Sequence, residues 1–429
     1  MDEVASGDAL ETGPTFSLGR EFPPVADLHD EPSAATSPMA RYAWVVLTVV
    51  FVAGVATTLS QYEAPPLLPV LMRWFRVDLS SASSLMSIFA LTGAAVALPS
   101  GYILRRLGPM TAGLSALAAV AVGGAMGALS TSFGVLLISR GIEGLGLGLI
   151  AVVAPTVIAQ WFPPDSRGAA MGVWATWVPV GGILMFNVAP AIAGLGGWQA
   201  VWWVGAVVCL ISLALFRLLV RLPQPTRQAP RERAEVALKE SAFRLALGNR
   251  SMWLLALAFC LYCISQGVSS SFYPTFLVAK RGLSLSAASS LGSLPMLTSI
   301  VSCLIGGVIS DRLGSRKLVY TIPTVLLAVS WVFPFSITGW QIPVFLAVSG
   351  LLGGAVAAAV WAAVAEVVPQ PAAVGMGMAI LMFGQSIGYV IGPALFSRLV
   401  EMVGWVGAGY MWVPVGLAAA TTGWFVKVR

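Results

Sequence analysis

The sequence predicts an all-α membrane protein with twelve transmembrane helices in two parallel six-helix repeats, and three observations carry that prediction. Of 429 residues, 58% are hydrophobic and only 10% charged, with a mean hydropathy of +0.87. A soluble chain carries about 25% charged residues, so this much apolar surface needs a bilayer as its solvent. Apolar windows of about 20 residues, the length that crosses a hydrocarbon layer, recur along the chain. Finally, the second half repeats the first at a constant spacing. Soluble enzymes, nucleic-acid binders and disordered scaffolds are excluded by this composition. Four Cys and one His are too few for a disulfide framework or a metal cluster.

Residues 1–41 hold eight acidic side chains, from Asp2 to Glu31, with Arg20 and Arg41 as the only bases. Such a segment buries too little apolar surface to order itself, and it lacks the basic start and apolar stretch of a cleavable signal. A disordered cytoplasmic tail is expected there. The spans follow at roughly 42–71, 80–104, 109–129, 133–158, 168–193, 199–220, 252–278, 285–310, 318–337, 341–366, 373–399 and 403–426. Loops are short except at 222–250, a basic central loop that separates an amino-terminal bundle (42–221) from a carboxy-terminal one (251–429).

With a cytoplasmic amino terminus, eighteen Lys and Arg fall on the cytoplasmic side and five on the outer side, with Arg140 alone inside a span. Cytoplasmic loops of membrane proteins carry the excess of bases. Both termini are therefore expected in the cytoplasm of a multi-pass plasma (inner) membrane protein.

"LSSASSL" at 79–85 recurs as "LSAASSL" at 285–291, and "RRLG" at 105–108 as "DRLG" at 311–314, all at an offset of 206. Gly144, Gly148 and Pro163 pair with Gly350, Gly354 and Pro369 at the same offset, and Ser60-Gln61 with Ser265-Gln266 at 205. Registry over a hundred residues marks a repeat. Six is even, so both copies enter the membrane in the same direction and are related by an axis along its normal.

Between the eighth and ninth spans, "GVISDRLGSRK" supplies Gly307, Asp311, Arg312, Gly314, Arg316 and Lys317. This resembles the loop signature of the major facilitator superfamily, Gly-x-x-x-Asp-Arg-x-Gly-Arg-Arg/Lys, and the resemblance extends over residues 41–429. It implies the major facilitator fold and, for this motif, a conformational latch in which a carboxylate and arginines at helix ends hold a neighbouring helix. The first half reads "GYILRRLGPM", keeping Gly101, Arg106 and Gly108 but placing Arg105 where the family has Asp. That half of the latch lacks its carboxylate.

The fourth span, "SRGIEGLGLG", resembles the family's Arg-x-x-x-Gly pattern through Arg140, Gly144 and Gly148. Gly144 and Gly148 allow close helix approach. Arg140 and Glu143 lie three apart on one helix face, either as a substrate or proton path or as a structural ion pair. In the second half Leu346 and Ser349 hold the equivalent places. The fifth span, "WVPVGGILMFNVAP", partly resembles the family's antiporter signature, with Val178 where Gly is expected. Pro179, Gly181 and Gly182 are accordingly read as a bend and a packing surface.

In the first span, "SQYEAPPLLPVLM" sets Glu63 beside the Pro65-Pro66 break. Broken helices expose backbone groups to a cavity, so Glu63 is a candidate for a proton or cationic substrate, or else a residue of the watery mouth. Neutral hydrogen-bonding side chains, Gln61, Asn187, Gln266, Tyr273 and Gln385, are candidates to line a polar midplane cavity. Cys260-x-x-Cys263 lies in an apolar span and reads as buried thiols, and His29, in the acidic tail, cannot relay protons within the membrane.

The expectation is a secondary transporter of a small solute working by alternating access, not an enzyme, with no cofactor and no metal. The text "WFPPDSRGAAMGVWATWVPVGG" and "GGWQAVWW" looks like the cyanate and nitrate/nitrite porter branch of the superfamily, which implies a small organic or inorganic anion and allows proton coupling. The alternative is proton-coupled efflux of hydrophobic drugs or metabolites, suggested by 15 Trp and 19 Phe. Expected partners are the small-molecule substrate, membrane lipid and protons, with no nucleic acid, for a chain acting as a monomer.

Overall fold

The computed structural model describes residues 38–97, 99–221, 247–313, 316–368 and 371–427, and among them every regular element is an α-helix. The tail (1–37) and most of the central loop (222–246) lie outside the described residues. Contacts divide the chain into two units, Met1–Tyr42 and Ala43–Arg429; everything below concerns the second.

The helices are α1 (Pro38–Gln61), α2 (Ala64–Phe75), α3 (Leu79–Ala97), α4 (Ser100–Ala128), α5 (Phe133–Trp161), α6 (Pro164–Ala175), α7 (Trp177–Leu219), α8 (Arg250–Arg281), α9 (Leu285–Leu313), α10 (Arg316–Ser330), α11 (Gln341–Val367) and α12 (Pro371–Trp424). Among the described residues nine helical stretches are long and apolar enough to cross a membrane, and Lys317–Ser330 is a shorter apolar one. The two longest stretches, Ser166–Leu219 and Met376–Trp424, each contain a non-helical glycine break, at Gly196-Gly197 and at Gly404, and the first is also broken at Thr176 between α6 and α7. Dividing both at those glycines and adding the short helix recovers the twelve expected segments. Gly197 (φ 75°) and Gly404 (φ 73°) adopt a positive φ that side chains disfavour, which lets the chain reverse direction within very few residues.

The repeat seen in the sequence is also a repeat of contacts. A Cβ on Gly144 would strike the Phe89 carbonyl oxygen and Thr92 Oγ1, and one on Gly350 would strike the Pro295 carbonyl oxygen and Thr298 Oγ1. Likewise Gly148 lies on the Gly93 carbonyl and Gly354 on that of Ser299. Each pair of partners is again 206 apart. The missing side chains bring α5 onto α3 and α11 onto α9 at backbone distance.

The ends of the first helices agree too. Arg76 (φ 54°) closes α2 and Gly282 (φ 65°) closes α8 in the left-handed conformation. Two residues later, Asp78 Oδ1 accepts from Ser81 N at 2.7 Å, and Ser284 Oγ from Ala287 N at 3.2 Å. These caps satisfy first-turn N–H groups of α3 and α9 that have no partner within the helix. The Ser81 side chain and backbone N–H together hold the exposed Asp78 carboxyl below its ordinary value.

The repeats meet most extensively where α3 packs on α12 and α7 on α9, with α2 also touching α8 and α9, while α8 runs along α12 within the second repeat. Trp198, Trp202, Phe186 and Leu67 fill the interior of the first repeat, and Phe272, Phe276, Phe396 and Trp412 that of the second. Leu195, Ile138, Leu218, Trp340 and Met402 are exposed. Such residues on an apolar bundle face lipid.

Candidate functional site

The polar centre of the molecule begins with a break in the first span. α1 stops at Gln61 and α2 resumes at Ala64. Pro65 and Pro66 have no N–H, so the Gln61 and Tyr62 carbonyls, four residues earlier, lose the donors a continuous helix would give them. A buried carbonyl must then find another partner. Arg140, on α5, supplies it: Nη2 donates to the Gln61 carbonyl at 3.1 Å and Nη1 to that of Ser60 at 2.6 Å.

Nη1 of the same guanidinium also donates to Glu143 Oε2, one helical turn along α5, and lies 3.8 Å from Glu63 Oε2. The guanidinium carbon stacks over the Phe89 ring at 4.4 Å from its centre. Arg140, Glu143 and Glu63 are each 0% exposed, so none stands at a watery mouth. With both carboxylates ionised the group carries one net negative charge in a dry interior, where an unbalanced charge is very costly. One proton balances it.

Neither Glu63 oxygen has a hydrogen-bond partner among the described residues, and Ser60 Oγ, Glu143 Oε1 and Arg140 Nε are also unpartnered. The room for Glu63 comes from Gly205 on α7: a Cβ there would collide with Glu63 Oε1 and stand 3.3 Å from Ser60 Oγ. Gly123 on α4 gives Glu143 its space in the same way, its Cβ position lying 2.6 Å from Glu143 Cγ. The buried Cys209 thiol lies against the same cluster.

Sequence spacing brings Arg140 and Glu143 together, and the fold adds Glu63 from 77 positions earlier. Gln61 takes part through its backbone carbonyl rather than its side chain. Gly205 and Gly123 were not singled out by sequence, since a glycine in an apolar span carries no mark of the carboxylate beside it.

The neutral candidates scatter. Asn187 Nδ2 donates to the Ile183 carbonyl at 2.8 Å and to Ser293 Oγ at 3.1 Å, joining α7 to α9. Gln266 lies beside Gly353, whose carbonyl accepts from the Tyr262 hydroxyl at 2.9 Å. Gln385 Oε1 is buried without a partner. Tyr273 donates its hydroxyl to the Pro334 carbonyl at 2.9 Å within a cluster formed by Phe276, Phe335 and Phe345. That hydroxyl is committed to the loop after α10.

Gly181 packs on Thr58, with 2.7 Å from its Cβ position to Thr58 Cβ, and Gly182 lies on Met296 Sδ. Pro179 falls in the first turn of α7, where a missing N–H costs no hydrogen bond. Cys260 and Cys263 are both free and buried. Of the latch, Gly314 lies outside the described residues, and Gly101, Gly307, Asp311, Arg312 and Arg316 are described in backbone only. Arg106 is exposed and stacks over Tyr102 at 5.1 Å, and Gly108 breaks α4 with φ 73°.

Several proteins share this architecture. The chain is 28% identical over 306 residues to the hexuronate transporter of Bacillus subtilis (strain 168), covering 66% of this chain and 71% of that one. It is 23% identical over 355 residues to a probable sulfoacetate transporter of Cupriavidus necator, covering 78% and 82%. The crystal structure of a bacterial homolog of the human lysosomal transporter Spinster, inward-facing and unoccupied, superposes with a TM-score of 0.78 at 17% identity, covering 90% of this chain and 97% of that one. The family model for the Major Facilitator Superfamily matches residues 46–294 and 255–429. With its twelve segments, its parallel repeat and that match over most of its length, the chain belongs to the Major Facilitator Superfamily, whose members span the membrane several times and carry small solutes.

Proposed function

We propose that the protein carries a small organic anion of the carboxylate or sulfonate class across the plasma (inner) membrane by alternating access, coupled to protons through Glu63, Arg140 and Glu143. One observation carries the coupling: three fully buried charged groups meet at the break of the first span with an excess of one carboxylate. Glu63 is the proton's place, because Glu143 already accepts from Arg140 while Glu63 accepts no hydrogen bond.

The terminal nitrogens of Arg140 are occupied by Ser60, Gln61 and Glu143, so in this state the guanidinium does not hold the substrate. Substrate contact falls instead to Gln266 and Gln385, whose neutral amides can meet the oxygens of an acid, because both N–H groups of Asn187 are already donated to Ile183 and Ser293. The anion class rests on the hexuronate and sulfoacetate transporters among the relatives. Both substrates are organic acids larger than the cyanate or nitrate that the narrower sequence resemblance implied, and the reading follows the relatives.

In this reading both termini are cytoplasmic, the chain acts as a monomer, and the basic central loop meets anionic headgroups. Groups 42–221 and 251–429 rock against each other, the first carrying the buried charges, and the Asp311 latch holds the cytoplasmic side. Uptake into proteoliposomes tests it, using galacturonate, sulfoacetate, nitrate, cyanate and a cationic dye, each with and without a proton gradient. The expected result is gradient-driven accumulation of galacturonate or sulfoacetate. Dye accumulation without anion flux contradicts it and favours efflux of hydrophobic compounds.

A further inference from the structure

The two repeats are fastened along α3 and α12 by three hydrogen bonds that the transport reading does not use. Ser80 N donates to Glu401 Oε1 at 2.9 Å, Ser397 Oγ to Ser83 Oγ at 3.1 Å, and Ser87 Oγ to the Val390 carbonyl at 3.0 Å. Residues 80, 83 and 87 share one helical face, as do 390, 397 and 401. The bonds thus form one seam, running inward from the turn between α2 and α3.

Its chemistry changes along its length. Ser83 and Ser397 are buried, at 2% and 0% exposure, whereas Glu401 stands at the exposed rim. The rim bond is a carboxylate on a first-turn N–H of α3, which has no partner within its own helix. Charge-assisted bonds of this kind also gain from the helix dipole. Asp78 occupies the next donor, Ser81 N, so the end of α3 holds one carboxylate from its own repeat and one from the other.

The second seam, between α7 and α9, lacks this device. There Asn187 and Ser293 make a neutral bond, and Gly194 stands at the position equivalent to Glu401, 207 residues earlier.

We propose that Glu401 fastens this end of the molecule shut, and that its bond to the Ser80 N–H sets how often the α3–α12 seam opens and admits water to Ser83. An exposed carboxylate can exchange Ser80 for water at little cost, so the rim releases first and the neutral bonds behind it follow. The inference takes from the proposed function only that the two groups of helices separate here.

The test needs no substrate, so its failure is distinct from failure of the anion reading. Ser83→Cys is placed in a Cys303→Ser background, because Cys303 is the exposed native thiol. The protein is held in nanodiscs and labelled with a soluble maleimide. The thiol introduced at position 83 should react slowly with Glu401 present, and about two- to fivefold faster in Glu401→Ala, with Glu401→Gln between them. Ser293→Cys on the other seam should speed up in parallel, because the repeats move as bodies. An unchanged labelling rate at position 83 overturns the proposal. So does acceleration confined to that position, which would mean local fraying of α3. Should Ser83→Cys not fold, Ser87→Cys, one helical turn further in on the same face, gives the same reading.

Discussion

The two repeats share a fold and differ in what they bury. The first holds Glu63, Arg140 and Glu143, each 0% exposed, and among the described residues the second buries no charged side chain. At the matching positions it has Val268, Leu346 and Ser349, and where Gly205 makes room for Glu63 the second repeat has Trp412, itself 0% exposed. The glycine contacts between helices are nonetheless the same in both. Charge is therefore not what builds this six-helix unit. Buried ion pairs often contribute no more than well-packed apolar residues of equal volume, and ionisable groups at membrane depth are costly. The comparison teaches that this six-helix unit can be built without buried charge, as the proposed role of Glu63, Arg140 and Glu143 in transport requires.

Removing one charge should break the comparison most severely. Arg140→Ala leaves two buried carboxylates without their cation and the Gln61 carbonyl without its donor, a change of about 3–5 kcal/mol. We expect a sharp fall in folded protein on size-exclusion chromatography and no uptake from what remains; wild-type yield and flux would contradict the account. Smaller is Gly205→Ala, whose methyl displaces Glu63 at a cost of about 1–3 kcal/mol. Uptake should fall more than thermal stability does. A loss of stability alone would make Gly205 a packing residue only.

Two further changes act at the repeat ends and sharpen the comparison. The Asp78 carboxyl is held below its ordinary value by Ser81, so its cap on α3 is present above the ordinary carboxylate range and is lost as pH falls through the lowered value. The Ser284 cap on α9 does not titrate there. Acidification should speed hydrogen exchange at the Ser81 amide and leave the Ala287 amide unaffected by cap loss, once both are corrected for intrinsic exchange. Smallest is Arg76→Gly, which gives α2 the left-handed residue that Gly282 provides to α8. It should stabilise by about 0.5–1 kcal/mol, read as a small rise in melting temperature.

Much of this was legible beforehand. Span positions, the offset of 206 and the pairing of Arg140 with Glu143 follow from hydropathy, text and helical spacing. Gly197 and Gly404 hide two turns inside long helices, because a single positive φ interrupts the helix without ending its apolar run. The meeting of Glu63 with Arg140 was not legible, since it depends on how α1 and α2 pack against α5. Pro65 and Pro66 did signal freed carbonyls, and the unread step was that an arginine from another helix would take that of Gln61. Tyr273 misleads by composition: a hydroxyl in an apolar span suggests a cavity, yet its partner is the Pro334 carbonyl in a neighbouring loop.

The central claim, that the buried charges serve transport and not folding, is tested most directly by giving the first repeat an uncharged centre like that of the second. The triple variant Glu63→Gln, Arg140→Met, Glu143→Leu removes the ionisable groups together and keeps their volumes. Its melting temperature and its proton-driven uptake of galacturonate and sulfoacetate would be measured side by side in proteoliposomes. The account predicts a folded protein within about 1 kcal/mol of wild-type stability and no proton-driven accumulation. Normal accumulation by that variant would contradict it.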